Sequence, residues 1–278
     1  MYNQDQSFYN FAEGFKQVDA FGFRGGDNDR AYLYGSTGDE ILIGSPAKTG
    51  MVGDGFAFDV HGFERKYAVS NGGNDRALLF DSKLDDRFVA RPDDTRLFNN
   101  RYFLNAKGFA EVDAYSSSGG NDRAYFYDSE GDDTLVSLEN EMRIIGNGFD
   151  NTSHGFARNY AHSTAGGNDT AVLYDTEHAD TVKLGENVSK MYGETYYSWL
   201  NQFENVSTEF TNASRHDRAL VFGAVDADTL AASGELADLI YDHAAEFIYD
   251  VEANESGQDG EDSDFASLYE DLLNLSTG

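Results

Sequence analysis

The chain has 278 residues, with 50 Asp and Glu against 20 Lys and Arg, and a net charge of −30 at pH 7. That charge repels nucleic acid and anionic membranes, and the absence of cysteine removes disulfide, thiolate and zinc–sulfur chemistry. No run of about 18 apolar residues offers a membrane span, and residues 1–6 have neither the basic nor the apolar part of a signal peptide.

From the N-terminus, the first recognisable feature is a pair of phenylalanines seven residues apart, Phe8 and Phe15. The same step recurs inside every later unit, so the chain opens in the middle of a period. That start fits either a degenerate N-terminal cap or an array with a copy upstream.

The phrase Gly-Gly-Asn-Asp-Arg-Ala then sets a long repeat. Its aspartates are Asp29, Asp75, Asp122, Asp169 and Asp217, at steps of 46, 47, 47 and 48 residues. A fixed period of this length marks a repeat architecture of about five units spanning residues 8–230. Aligned on the Asp, each unit carries Ala two residues later (Ala31, Ala77, Ala124, Ala171, Ala219) and an aromatic three beyond it (Tyr34, Phe80, Tyr127, Tyr174, Phe222). A second acid follows the Asp by eleven residues: Glu40, Asp86, Asp133, Asp180, Asp228. Further on lie an aromatic (Phe56, Tyr102, Phe149, Tyr196) and an invariant Phe (Phe63, Phe109, Phe156, Phe203).

Within a unit, short alternating runs between turn residues predict strands. In the third copy these are 112–115, 123–127, 134–138 and 142–145, the last ending at Gly146-Asn147-Gly148. The fold class expected is all-β, a parallel β-solenoid or β-helix, in which equivalent residues of successive copies stack as ladders. The alternative is a five-bladed β-propeller with one antiparallel blade per copy.

After the array the period changes. Residues 231–251 place Leu236, Leu239, Ile240, Ala244, Phe247 and Ile248 on one face, which predicts a helix capping the last coil. Residues 252–278 form an acidic tail with a disorder-prone stretch and a short terminal helix carrying Leu268, Leu272 and Leu275.

The residues with the clearest chemical potential are the paired turn acids. Asp39-Glu40, Asp85-Asp86 and Asp132-Asp133 occupy Gly- and Asp-rich turns like those that hold calcium, an ion that takes six to eight oxygens. Each Asp can equally cap its turn by accepting backbone N–H groups. Ala179 and Ala227 replace the first acid in the last two copies, which favours the capping role. The arginines of the repeated phrase, Arg30, Arg76, Arg123 and Arg218, can neutralise stacked acids or hold an acidic sugar. His61 and His154 occupy one repeat position, with Lys107 between them, as structural residues do. Tyr196 to Asn201, with the only Trp at Trp199, is the most irregular patch; its aromatic cluster can stack on a sugar ring, but interior packing is its expected role.

The series Gly-Phe-x-x-Val-x-Ala, Gly-Gly-Asn-Asp-x-Ala-x-x-Tyr-Asp-Ser and Gly-Asp-Asp-x-Leu resembles the tandem repeats of very large secreted or cell-surface proteins of planctomycete-type marine bacteria. The resemblance covers about residues 8–230, with turns distantly similar to calcium-binding β-rolls. It implies an extracellular module and brings no catalytic residues.

The expected function is therefore a non-catalytic structural or adhesive repeat module, with calcium as a stabiliser in one version. Polysaccharide or other surface proteins are the expected partners. A carbohydrate-binding or polysaccharide-degrading β-helix protein is the competing class. The two part on one observation: a catalytic groove gathers Arg, His and Tyr from irregular, non-repeat positions on one face.

Overall fold

The computed structural model describes residues 15–22, 29–210 and 217–221. All lie in the first of the two units into which the chain divides, Met1–Ala237. The helices expected at 231–251 and near the C-terminus fall outside the described residues.

The described chain is all-β. In order come β1 Gln17–Phe21 and β2 Arg30–Tyr34; then β3 Ile41–Gly44, β4 Lys48–Gly53 and β5 Phe56–His61; then β6 Arg65–Val69 and β7 Arg76–Phe80. β8 Arg87–Ala90, β9 Asp94–Phe98 and β10 Phe103–Lys107 lead to β11 Glu111–Tyr115 and β12 Arg123–Tyr127. β13 Thr134–Leu138, β14 Glu141–Gly146 and β15 Phe149–His154 lead to β16 Arg158–His162 and β17 Thr170–Tyr174. The series ends with β18 Thr181–Leu184, β19 Val188–Tyr192, β20 Tyr197–Asn201, β21 Asn205–Glu209 and β22 Arg218–Val221.

These strands form two eleven-stranded sheets. Sheet I runs β1-β5-β4-β3-β7-β11-β15-β14-β13-β17-β21, and sheet II runs β2-β6-β10-β9-β8-β12-β16-β20-β19-β18-β22. The solenoid expected from the repeat is the fold, not the closed ring of a propeller. Strands from different coils pair in parallel, as β7 does with β11. Each unit also folds three consecutive strands into an antiparallel meander, such as β13-β14-β15, which stays within one sheet.

That meander corrects the expected ladders. Each unit holds five strands, an odd number divided between two sheets, so equivalent strands of successive units fall on opposite sheets. β2 and β12 belong to sheet II, while their counterparts β7 and β17 belong to sheet I. Ala31 therefore lies opposite Lys66, and Ala77 lies between Leu42 and Val112; no column of identical alanines exists. The structural period is two sequence units.

The core lies between the sheets, where alternate residues of each strand point inward. Ala31, Leu33, Ala77, Leu79, Ala124, Phe126, Ala171 and Leu173 are buried there, with Met51, Leu97, Met142, Ile144 and Met191 from the meanders. The invariant Phe63, Phe109, Phe156 and Phe203 are buried at the turns that follow the meanders. β12 is covered only on its inward side, because Tyr125 and Tyr127 are half-exposed on the outer face.

The fixed Gly-Gly has a steric cause. The second glycine of each pair has positive φ at Gly73, Gly120 and Gly167. A Cβ there would lie 2.2 Å from the Gly38 carbonyl oxygen, 2.4 Å from that of Leu84 and 2.4 Å from that of Gly131. The turn rests on the backbone of the adjacent coil, where only glycine fits.

Candidate functional site

The paired acids of each turn do two different jobs. The second acid is buried and ties its own turn together. Asp86 accepts the Ser82 N–H and hydroxyl at 2.7 and 2.9 Å, and Asp133 and Asp180 do the same with Ser129 and Thr176. Glu40 accepts the Ser36 hydroxyl. The first acid is exposed and reaches the next coil: Asp39, Asp85 and Asp132 accept the N–H groups of Asn74, Asn121 and Asn168 at 2.8–3.0 Å.

The Asp of the repeated phrase completes the network from the other side. The backbone N–H groups of Glu40, Asp86, Asp133 and Asp180 donate to Asp75, Asp122, Asp169 and Asp217 at 2.6, 2.6, 2.7 and 2.9 Å. A third acid, Asp81 or Asp128, accepts from the turn beyond. Burial pushes the Asp122 and Asp169 carboxyls up from the usual carboxylate value, with neighbouring carboxylates adding to the effect. Each turn holds negative charge away from water by directing backbone donors at it.

Calcium takes six to eight oxygens, and five of the six turn carboxylates here accept backbone N–H groups, while Glu40 accepts the Ser36 hydroxyl. Asp39 and Glu40, Asp85 and Asp86, and Asp132 and Asp133 point to different partners. Among the described residues no three His, Cys, Asp or Glu side chains form a metal-binding group. The geometry fits turn capping.

The alternation of sheets divides the arginines. Arg76, on sheet I, pairs with Glu111 at 3.0 Å and Asp113 at 2.8 Å. Arg30, Arg123 and Arg218 lie on sheet II, apart from those acids. The expected single column of repeat arginines does not form. His61 stacks on Phe21, and His154 stacks on Tyr115 while pairing with Asp113 and Glu141. Both are sheet I residues, whereas Lys107 is on sheet II.

The outer face of sheet II is the site the single-unit alignment hides. Its strands carry eleven Lys and Arg and a single acid, Asp94, which pairs with Arg96. Ten of those cations point outward; Lys66 points in. Strand register places Arg30, Arg65, Phe103, Phe98, Arg87, Arg123, Arg158, Tyr197, Tyr192, Thr181 and Arg218 in one continuous row. Beside it run stacked rings: Tyr32 on Tyr67 at 4.9 Å, and Tyr125 on Tyr160 at 5.1 Å.

Trp199 belongs to this outer face and is half-exposed, a correction to its expected interior place. It meets His162 edge-on at 5.1 Å; His162 stacks on Tyr127 at 5.1 Å, and the Arg91 guanidinium covers Tyr127 at 4.1 Å. Burial holds the His162 imidazole below its usual value.

No family model matches the chain, and neither a curated protein nor a solved structure matches it.

Proposed function

We propose that the array is a non-catalytic structural and adhesive module of a secreted or cell-surface protein. The carrying observation is the carboxylate network. The bond from the second acid's N–H to the Asp of the repeated phrase recurs at four consecutive coil contacts, so the turns repeat one structural device. The resemblance of the motifs to large surface proteins supports the extracellular setting, and the net charge of −30 suits a protein exposed to salt and divalent cations.

A second reading rests on Arg91, Tyr127, His162 and Trp199. A neutral imidazole, a phenol and a guanidinium on one face are the parts of a base, an acid and a charge neutraliser for cleaving acidic polysaccharides. Here, however, Tyr127 and His162 cover each other's ring faces and Arg91 covers the phenol. That packing supports an ordered surface over a reacting group.

Prolonged incubation of the full chain with polygalacturonate, dextran sulfate and neutral dextran, followed by reducing-end release, separates the readings. No turnover is expected. Turnover lost in His162→Gln would replace the structural reading with the catalytic one.

A further inference from the structure

The outer face of sheet II concentrates arginine along one row. Like charges directly opposite on neighbouring strands destabilise a sheet. Register nevertheless sets Arg30 opposite Arg65, and Arg87, Arg123 and Arg158 opposite one another in succession. Sheet I shows the arrangement that stability alone favours. There Arg76 faces Glu111, and Lys48–Asp59 and Arg143–Asp150 are ion pairs.

The two-unit period shows how the sequence builds this difference. The position occupied by Arg65 and Arg158 on sheet II is Glu111 and Asn205 on sheet I. The position of Tyr67 and Tyr160 on sheet II is Asp113 and Ser207 on sheet I. Alternate units thus carry different outward residues, and the inward position between them alternates as well, Lys66 and Asn159 against Val112 and Val206. A purely structural repeat has no reason to concentrate cations and phenols on one face of a protein with net charge −30.

We propose that the outer face of sheet II binds a linear anionic polysaccharide laid along the strand stack. This deepens the adhesive reading and rests on it. Guanidinium groups pair bidentately with carboxylates and sulfates. With strands about 4.8 Å apart, eleven strands offer a track of about 50 Å. The tyrosine rings are stacked on one another, so they present edges and hydroxyls, which suit the hydroxyl groups of a sugar chain.

Two other polyanions fit less well. The sheet I acids of a second copy offer little, because Asp59, Asp113, Asp150 and Glu111 already hold cations of their own sheet. Nucleic acid carries about one charge per 1.7 Å of duplex, a density that the surrounding negative charge opposes more strongly than it opposes a sparsely charged glycan.

The test is calorimetric titration of the full chain with polygalacturonate, dextran sulfate, neutral dextran and a thymidine oligonucleotide, at low and high salt. The decisive variant is Arg87→Gln/Arg123→Gln/Arg158→Gln, with Arg143→Gln on sheet I as control. At least one charged glycan binds, neutral dextran does not, and affinity falls as salt rises; the two charged probes tell carboxylate from sulfate recognition. The triple variant loses roughly tenfold or more in affinity, while Arg143→Gln binds unchanged. A thermal melt of the triple variant checks that it is folded. The proposal is overturned if neither charged glycan binds, or if the triple variant binds like the parent. Oligonucleotide binding as tight as glycan binding, or self-association in sedimentation that the triple variant abolishes, assigns the face to another occupant. None of these outcomes bears on turnover, so the non-catalytic reading stands or falls separately.

Discussion

Asp122 accepts the backbone N–H of Asp86 at 2.6 Å, joining two turns that are 36 residues apart in sequence and adjacent in the solenoid. Both carboxylates are buried, and both bind the chain of their own turn as well: Asp122 through the Ser116 hydroxyl, Asp86 through Ser82. Removing Asp122 leaves a buried N–H without its acceptor, which costs about 1–3 kcal/mol. Asp122→Ala should lower stability to urea by that amount, and Asp122→Asn, which keeps an acceptor oxygen, by less. Asp85→Ala removes an exposed acceptor and should cost under about 1 kcal/mol.

The two glycines of one turn should behave differently although both have positive φ. Gly119 has open space where a Cβ would stand, so Gly119→Ala carries only backbone strain of about 1–3 kcal/mol. At Gly120 the added Cβ meets the Leu84 carbonyl oxygen at 2.4 Å, and backbone cannot swing away as a side chain can. Gly120→Ala should therefore be clearly the more destabilised of the pair in thermal melts. Equal losses would show that coil stacking does not constrain this turn.

The sequence makes the solenoid legible because its turns are spelled out by Gly-Gly, Asp and Ser at a fixed period. The strands of the third copy were readable for the same reason, with β13 at its full span. β15 escaped because Asn151, Thr152 and Ser153 lack an apolar alternation, although Asn151 and Ser153 are buried. The cationic face escaped because aligning units one by one averages over odd and even copies. Arg65 and Arg158 against Glu111 and Asn205 was the available signal, yet only the odd strand count of each unit shows that copies alternate between sheets.

Chelation should leave the fold intact. The turn acids accept backbone N–H groups, so the melting midpoint should be the same in calcium and in a chelator. Anything that binds only the folded state raises the midpoint. A chelator-dependent fall, lost in Asp132→Asn, would assign calcium to the turns.

Mild acid should favour the array through Asp122 and Asp169. Burial raises both carboxyls above the usual value, so the folded chain takes up protons at a higher pH than the unfolded chain. Their effect on stability is unfavourable at neutral pH and is relieved as pH falls through their folded values. Melts from pH 7 downward should show the parent gaining on Asp122→Asn/Asp169→Asn. A constant difference between the two would mean that neither carboxyl is shifted.

Lys66 has the opposite dependence. Its side chain is buried between the sheets, and its ammonium donates to the Ser45 carbonyl at 2.9 Å and to that of Pro46. Burial lowers it from 10.5 to about 8, with Glu64 opposing. Because the unfolded chain keeps this proton to higher pH, the buried charge destabilises the fold below about 8 and ceases to do so above the unfolded value. Lys66→Met keeps the volume and removes the charge, and the half-buried carbonyls of Ser45 and Pro46 remain within reach of water. The variant should melt at or above the parent at pH 7, and its advantage should shrink as pH rises from 7 through 10. A variant that melts lower at pH 7, with a gap that does not change with pH, would show that the two carbonyl contacts outweigh the burial of the charge.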